Sequence, residues 1–272
     1  MNHKRLSVSL VIPAYNEECY IGACLDSLTR QTKQPDEVIV IDNSSSDKTA
    51  EIAKKYPFVK LVKEPKQGRV FARNAGFDAA KGDVIARIDA DTEVPPNWLE
   101  HIMDFYANAE NRLMAFTGDA AFNNVRFPRA VAWLYHEMAF DLNRIFAGHP
   151  TLWGSNMAIT KQQWLAVRKR ICPRNDIHED LDLSIHLHAR GFKIYYDRHC
   201  RVKANLRRVY SNRHELWGYL LWWPRTLRVH HKKTWVICWF FGVLILYILT
   251  IVLVLAERIA RLIGRKPLIS QA

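Results

Sequence analysis

Short apolar runs alternate with amphipathic stretches through residues 8–91. Four runs have the length and the near-continuous apolar character of buried strands, and they cover residues 8–13, 37–42, 59–62 and 83–88. Three intervening stretches have helical spacing or begin at capping residues, and they cover 21–28, 48–56 and 69–80. This alternation predicts an α/β fold whose central sheet is mostly parallel and is flanked by helices on both faces.

The pattern is looser after residue 95. The sequence predicts helices at 98–109, 127–146 and 181–189, and strands at 114–122, 153–159 and 193–196. No repeat and no low-complexity linker interrupts them. Residues 1–206 are therefore predicted to form one folded domain.

The C-terminal part contains the most apolar segment of the chain. Residues 235–255 carry no formal charge, and as a helix rising about 1.5 Å per residue they would extend roughly 30 Å, which matches a bilayer core. We predict one transmembrane helix here, followed by a basic tail at 256–272; a buried core helix is the alternative. Basic residues flank the segment on both sides, and the short polar N-terminus is not a signal peptide. The large N-terminal domain is therefore expected on the cytoplasmic side of the cell membrane.

Positive charge is concentrated beside that apolar segment. The chain carries a formal charge of +12, but residues 1–160 have 18 basic and 20 acidic side chains, whereas residues 161–272 have 21 and 7. Residues 207–234 mix tryptophan with arginine and lysine, which is typical of a membrane-interface segment. An ordinary helix packed on the core is the alternative. Anionic lipid is favoured as a partner over nucleic acid. Five cysteines without a C-x-x-C pair indicate reduced thiols.

Carboxylates follow two of the predicted strands, where ligands bind in parallel sheets. Asp42 ends the second strand and could accept a hydrogen bond from a nucleotide base or cap the following turn. Asp89 and Asp91 follow the fourth strand. In an extended chain residues i and i+2 point to the same side, so both could hold one divalent cation. That cation would bridge a diphosphate and neutralise the charge that develops as a sugar–phosphate bond breaks. Solvated surface acids are the alternative.

Charged residues farther along the chain supply further candidates. Arg69 and Arg73 lie four positions apart on one predicted helix face, where they are either solvated or bound to a diphosphate. One carboxylate of the acidic run 179–182 could deprotonate an acceptor hydroxyl, or the run could form ordinary salt bridges. No P-loop, dinucleotide-binding or zinc-protease pattern is present. The histidines at 178, 186 and 188 match no zinc spacing and are predicted to be solvated or locally hydrogen-bonded.

Five segments, in this order, resemble motifs of the family 2 glycosyltransferases with the GT-A fold. They are Val-Ile-Pro-Ala-Tyr-Asn-Glu at 11–17, Val-Ile-Asp at 40–42 with the turn 44–49, the stretch 68–76 around Ala-Arg-Asn, Ile-Asp-Ala-Asp at 88–91, and Glu-Asp-Leu-Asp-Leu at 179–183. The resemblance covers residues 8–191, roughly two thirds of the chain. It implies an inverting enzyme that depends on a nucleotide-diphosphate sugar.

The resemblance also implies a role for each matched position. On the donor side, Pro13, Ala14, Tyr15 and Glu17 would line the nucleoside pocket, Asp42 would hold the base, and Arg69 and Arg73 would lie near the diphosphate or the donor sugar. Asp89 and Asp91 would hold the ribose and a Mg²⁺ or Mn²⁺ ion. Asp180 would be the general base, with Glu179 and the segment Trp153, Gly154, Ser155 and Asn156 on the acceptor side.

Two departures from the family pattern narrow these implications. His186 stands where the family often has an arginine that assists the diphosphate, so that role stays open. No Gln-x-x-Arg-Trp follows the acidic run, which favours transfer of one sugar over processive synthesis. We therefore predict an inverting transferase that moves one sugar from a UDP- or GDP-linked donor to a hydroxyl or phosphate acceptor at the cytoplasmic membrane face. A polyprenyl-linked lipid is one candidate acceptor. A sugar-phosphate nucleotidyltransferase and a degenerate transferase serving as a membrane scaffold are the alternatives.

Overall fold

The computed structural model describes residues 5–122, 140–141, 143–205, 218 and 220–230, together with Leu244, Ile248, Ile251 and Val252. Most of the predicted span 235–255, the whole tail 256–272, much of the interface segment 207–234 and most of the predicted helix 127–146 lie outside the described residues. Among the residues that are described, no helix combines the length and the apolar character needed to cross a membrane.

Seven strands in the described residues form a single sheet. They are β1 (Val8–Ala14), β2 (Glu37–Asp42), β3 (Val59–Lys63), β4 (Val84–Arg87), β5 (Met114–Phe122), β6 (Met157–Thr160) and β7 (Lys193–Ala204). Their order across the sheet is β3-β2-β1-β4-β6-β5-β7. Neighbouring strands are parallel except at β6, which runs antiparallel to both β4 and β5. The prediction of an α/β fold with a mostly parallel sheet is confirmed.

Helices in the described residues lie between these strands, and one more helix follows β7. They are α1 (Ile21–Thr29), α2 (Thr49–Ala53), α3 (Arg69–Ala79), α4 (Trp98–Ala107), α5 (Asn143–Ala147), α6 (Lys161–Val167), α7 (Glu179–Ala189) and α8 (Trp222–Val229), with a 3-10 helix at Ala109–Leu113. A capping box starts α6, in which Thr160 and Gln163 exchange side-chain-to-backbone hydrogen bonds. Three carboxylates lie in the first turn of α7, where the positive end of the helix dipole stabilises them.

The sheet separates two apolar layers. Side chains alternate along β1, so Leu10 and Ile12 pack into one layer with Trp98, while Val11 packs into the other with Trp164. All five side chains are buried. Because both faces of the sheet are covered, the central strands are apolar at nearly every position, which is the pattern that the sequence shows.

The chain bends directly after β4. This strand ends at Arg87, and the Thr92 amide donates to the Asp89 carbonyl oxygen (3.1 Å), which closes a turn. The predicted alternation that placed Asp89 and Asp91 on the same side of an extended strand therefore does not apply. Both residues remain close together in the chain, but a turn sets their orientation.

Two other predicted strands have different bounds. The strand expected at 153–159 begins only at Met157, because the Asn156 amide donates to the Trp153 carbonyl (2.9 Å) in a preceding turn. In contrast, β7 extends far beyond the predicted 193–196. Its second half is largely polar, and it is held by parallel pairing with β5 up to Ala204. No apolar run in the sequence marks this half of the strand.

Candidate active site

The residues that follow β1 and β2 lie together at the carboxyl edge of the sheet. Ala14 and Asp42 are paired in register, and the Asn43 amide donates to the Ala14 carbonyl (2.9 Å). Pro13 is partly exposed and Tyr15 is exposed, whereas Ala14 is buried. The structure therefore brings together the residues that the sequence predicted to bind a nucleoside.

The carboxylate of Asp42 caps the turn after β2. It is buried, and its Oδ1 accepts a hydrogen bond from the Ser45 amide (3.1 Å). The capping role considered from the sequence is observed, and contact with a base stays a prediction. The neighbouring Glu17 amide donates to Thr49 Oγ1 (2.7 Å), which joins the loop after β1 to the start of α2.

The guanidinium group of Arg87 connects Asp89, at this edge of the sheet, to the acid pair that starts α7. Arg87 ends β4 and is only 3% exposed. Its Nη2 donates to Asp89 Oδ1 (3.0 Å) and to Glu179 Oε1 (3.2 Å), while its Nη1 donates to Asp180 Oδ1 (2.8 Å). The sequence predicted the three acids but not the arginine. The sequence does contain a signal for it, a charged residue inside an otherwise apolar strand. A buried cation requires acidic partners, so such a residue indicates a buried ion pair.

The two members of the acid pair have opposite pKa shifts. Burial acts to raise the pKa of Glu179, but nearby guanidinium groups hold it below its usual range. They belong to Arg69, Arg87 and Arg73. Burial and the neighbouring Glu179 carboxylate raise the pKa of Asp180, against the effect of Arg87. Glu179 therefore stays charged, whereas Asp180 accepts a proton more readily near neutral pH.

Two arginines of α3 support the acid pair. Arg73 is fully buried, and its Nη1 donates to the Glu179 carbonyl (2.6 Å) while its Nε donates to Asn74 Oδ1 (3.1 Å). In this structure Arg73 braces the start of α7, and its contact with a diphosphate or donor sugar stays a prediction. Arg69 is partly exposed, and its guanidinium lies 4.0 Å from the centre of the Trp222 ring on α8.

The turn before β6, predicted to face the acceptor, lies between Asp89 and Asp180. The Gly154 amide donates to Asp180 Oδ2 (2.9 Å), and Ser155 Oγ donates to Asp89 Oδ2 (2.5 Å). A Cβ atom at position 154 would lie 2.6 Å from Arg87 Cζ, so a larger residue would displace the guanidinium. Glycine at 154 thus lets the backbone approach the charged groups closely.

The other residues of that turn have mainly structural contacts. Asn156 is fully buried; its Oδ1 accepts from Trp98 Nε1 (2.9 Å), and its Nδ2 donates to the carbonyls of Asp119 (2.9 Å) and Cys200 (2.8 Å). It holds the turn from inside, so its position does not support the predicted contact with an acceptor. Trp153 is partly exposed and remains a candidate for that contact.

Asp89 and Asp91 have the chemistry of a site for a hard divalent cation. The Asp89 side chain is 38% exposed, although both of its oxygens accept hydrogen bonds. Asp91 is partly buried, and its carbonyl accepts from Asn205 Nδ2 (3.4 Å). Carboxylate oxygens are the ligands that Mg²⁺ and Mn²⁺ prefer. These residues therefore fit the cation that the sequence predicted.

The sequence matches a known family and known relatives. The family described as Glycosyl transferase family 2 matches residues 9–163. The glycosyltransferase AglE of Haloferax volcanii is 39% identical over 100 residues, which cover 34% of this chain and 33% of that protein. The chain spans about a third of the length of the curated relatives that it matches, between 29% and 33% in three of them.

Solved structures share the fold at low sequence identity. The mannosyltransferase PcManGT from Pyrobaculum calidifontis, in complex with GDP-Man and Mn²⁺, has a TM-score of 0.65 and 17% identity, covering 97% of this chain and 78% of that chain. Glucosyl-3-phosphoglycerate synthase from Mycobacterium tuberculosis, in complex with Mn²⁺, UDP and glucosyl-3-phosphoglycerate, has a TM-score of 0.54 and 17% identity, covering 74% and 70%. At these identities the likeness supports the predicted GT-A fold and nothing beyond it.

Proposed function

The chain belongs to glycosyl transferase family 2, and on that premise we propose that it transfers a single sugar, with inversion, from a nucleotide-diphosphate sugar to a hydroxyl or phosphate acceptor. The observation that carries this proposal is the contact of Arg87 with both Asp89 and Asp180. It joins the aspartate predicted to hold the donor to the aspartate predicted to act on the acceptor. The family resemblance predicted from five motifs is confirmed, and the nucleotidyltransferase alternative loses its support.

In the proposed reaction with a hydroxyl acceptor, Asp180 takes the acceptor's proton. The acceptor oxygen forms a bond to the anomeric carbon from the side opposite the diphosphate, the bond from that carbon to the diphosphate breaks, and the configuration inverts. Arg87 and the Gly154 amide each donate to one Asp180 oxygen and so fix the orientation of this carboxylate. The raised pKa of Asp180 suits a base that works near neutral pH.

For the donor, we propose a UDP- or GDP-linked sugar at the edge formed by β1, β2 and the turn after β4. Support comes from the similar folds, since PcManGT was solved with GDP-Man and Mn²⁺ and the glucosyl-3-phosphoglycerate synthase with UDP and Mn²⁺. Asp89 and Asp91 would hold Mg²⁺ or Mn²⁺, which would neutralise charge on the leaving diphosphate. Tyr15 is exposed and directly follows Ala14, which pairs with Asp42, and its ring would stack on the base.

Loss of the divalent cation is expected to abolish transfer. Such an ion supplies several kcal/mol of charge stabilisation, and about 1.4 kcal/mol corresponds to a factor of ten in rate. EDTA, or the substitution Asp91→Asn, should therefore lower the initial rate of UDP or GDP release by about 100-fold or more. Asp104→Asn, which alters an exposed carboxylate on α4, is the matched control and should keep the wild-type rate. Full activity in EDTA would contradict the proposed role of the cation.

For the acceptor, we propose a lipid-linked molecule at the cytoplasmic surface of the cell membrane, with residues 235–255 as a single transmembrane anchor. The basic excess of residues 161–272 and the uncharged run 235–255 support this location. Within that run, Leu244, Ile248 and Val252 are helical and are between 39% and 55% exposed. They follow one another at four-residue spacing and so share one helix face.

Membrane fractionation tests this location. Charge attraction to lipid is screened by salt, whereas an apolar span is not. The full-length chain is therefore expected to stay in the membrane pellet after a high-salt wash and to enter the supernatant only with detergent. Release by salt alone would indicate surface adsorption, and recovery in the soluble fraction would contradict the membrane location.

A further inference from the structure

Four side chains with metal-binding atoms meet at a second place, beside α7. They are Cys172, Asp182, His186 and His230, and their ligand atoms all lie within 4.8 Å of one another. The first belongs to the loop before α7, the next two to α7 itself, and the last to the residue that follows α8. Asp182 and His186 lie four positions apart on α7, but Cys172 and His230 come from other segments, so no zinc spacing motif indicates the set. His186 was predicted to be solvated or hydrogen-bonded, with a role at the diphosphate left open.

Asp182 is the centre of this cluster and is fully buried. Its Oδ1 lies 2.8 Å from His230 Nε2 and 3.4 Å from His186 Nε2, and its Oδ2 accepts from the Cys172 amide (3.1 Å). The two imidazole rings meet edge to face, with their centres 4.9 Å apart. Both Nε2 atoms therefore converge on the same carboxylate oxygen.

The cluster leaves one nitrogen atom unsatisfied. His186 Nε2 is buried, and within the part of the chain that the structure describes its contact with Asp182 Oδ1 (3.4 Å) lacks the geometry of a hydrogen bond. A buried polar atom that has lost its water without gaining a partner destabilises the fold. A bound cation at the point where the two rings converge would accept the lone pair of this nitrogen.

We propose that these four side chains bind one transition-metal ion, with Zn²⁺ the best match. Thiolate, imidazole and carboxylate together are the ligand set of four-coordinate zinc, whereas Mg²⁺ and Mn²⁺ prefer oxygen ligands. In a tetrahedral site with bonds of 2.0–2.3 Å, the ligand atoms lie about 3.3–3.8 Å apart, so the observed cluster needs only side-chain adjustments. On binding, the Cys172 thiol releases its proton to solvent, and His230 exchanges its contact with Asp182 for a bond to the ion.

The ion would fasten α8 to α7. These helices already touch where Thr226 Oγ1 accepts from the His178 amide (2.9 Å). At the other end of α8, Trp222 covers the Arg69 guanidinium, one of the groups that holds Glu179 charged. Coordination by His230 would add a strong bond after the last turn of α8, and so would fix this aromatic helix beside the acid pair. The proposal is independent of the proposed glycosyltransferase activity.

Cobalt binding to the full-length chain tests this proposal, because Co²⁺ occupies zinc sites and a thiolate ligand gives it a charge-transfer absorption. After removal of metal by a chelator, titration with Co²⁺ is expected to produce that absorption and to saturate at one equivalent. Zn²⁺ should displace the cobalt, and excess Mg²⁺ should not. Any Co²⁺ bound by Asp89 and Asp91 would have only oxygen ligands and would lack the thiolate absorption.

Matched variants assign the ligands. Cys172→Ser should remove the thiolate absorption, whereas Cys19→Ser, at an exposed cysteine, should keep it. His230→Gln should weaken Co²⁺ and Zn²⁺ binding by about tenfold to hundredfold or more, since even residues that only orient a ligand have effects of that size. His188→Gln, at an exposed histidine of α7, should bind as the wild type does.

The zinc content of the purified chain, measured by mass spectrometry, is a second readout that does not require the cysteine variant to fold. Near-stoichiometric zinc in the wild type and in Asp91→Asn, with loss in His230→Gln, would support the proposal. A wild-type chain without zinc and without the cobalt absorption would overturn it, as would an absorption that persists in Cys172→Ser. The cluster would then be a hydrogen-bonded group only.

Discussion

Replacing Arg87 with methionine is expected to lower the free energy of unfolding by about 3–5 kcal/mol, the range measured when one partner of a buried ion pair is removed. Glu179 would stay buried, and the partly buried Asp180 would stay beside it, without the cation that donates to both. Transfer is expected to fall below detection, because Asp180 would also lose one of the two donors that orient it. Urea unfolding followed by circular dichroism measures the first effect, and release of the donor nucleotide measures the second.

One further variant separates the charge of Arg87 from its shape, and one variant at another site is the control. Arg87→Lys keeps the charge but loses the planar fork that contacts several carboxylates, so its stability should lie between that of the wild type and that of the methionine variant. Arg168→Met removes a half-exposed arginine that lies 3.4 Å from Asp78, and it should change stability by no more than about 1 kcal/mol. If Arg87→Met unfolds at the same urea concentration as the wild type, the stability of the fold does not depend on pairing these acids with Arg87.

Asp180→Asn is expected to lower kcat by about 10²–10⁴-fold, the contribution of a positioned general base. The amide has nearly the size of the carboxylate but cannot take the acceptor's proton, so donor binding should be kept. Thermal shift with UDP and GDP checks this, because a ligand that binds the folded state raises its stability. Asp176→Asn, in the loop before α7, is the matched control; its carboxylate pairs with Arg174 and is half-exposed. A wild-type kcat in Asp180→Asn would assign the base to another residue.

The pH dependence of kcat reports on the same carboxylate. Burial and the Glu179 charge raise the pKa of Asp180, so its protonated form persists to higher pH than that of an ordinary aspartate, whose pKa is about 3.9. Only the ionised form can accept a proton. In the wild type kcat should therefore rise with pH through this raised pKa, and the residual activity of Asp180→Asn should lack that rise.

The central strands were predictable because a strand that is buried on both faces is apolar at nearly every position. The bounds of β2 agree with the predicted 37–42, and β1 differs by one residue at its end. Predictions failed where a strand depends on a distant partner or where polar groups bend the chain. The polar half of β7 is held by β5, and a hydrogen bond to the Asp89 carbonyl makes a turn where an extended chain was expected.

The acids of the candidate site were predictable, but their contacts were not. Strand ends and family motifs indicated Asp42, Asp89 and Asp180, since these features are local in the sequence. A motif does not reveal how far a side chain is buried: Arg73 and Asn156, both predicted to contact ligands, are fully buried in this structure. The contacts of Arg87 and the cluster around Asp182 depend on chain segments that come together only in the fold.

The reversed direction of β6 determines which connection borders the candidate site. Since β5 runs in the same direction as β4, Phe122 ends at the edge where the donor-side loops lie, and β6 begins again at that edge with Met157. Both ends of the intervening stretch 123–156 are thus anchored at the rim of the site. Apart from the turn at 153–156, whose contacts are specific, such a stretch can differ in length and sequence between related chains without shifting the register of any strand. One reversed strand therefore makes the surroundings of the proposed acceptor site a separately exchangeable part of this fold.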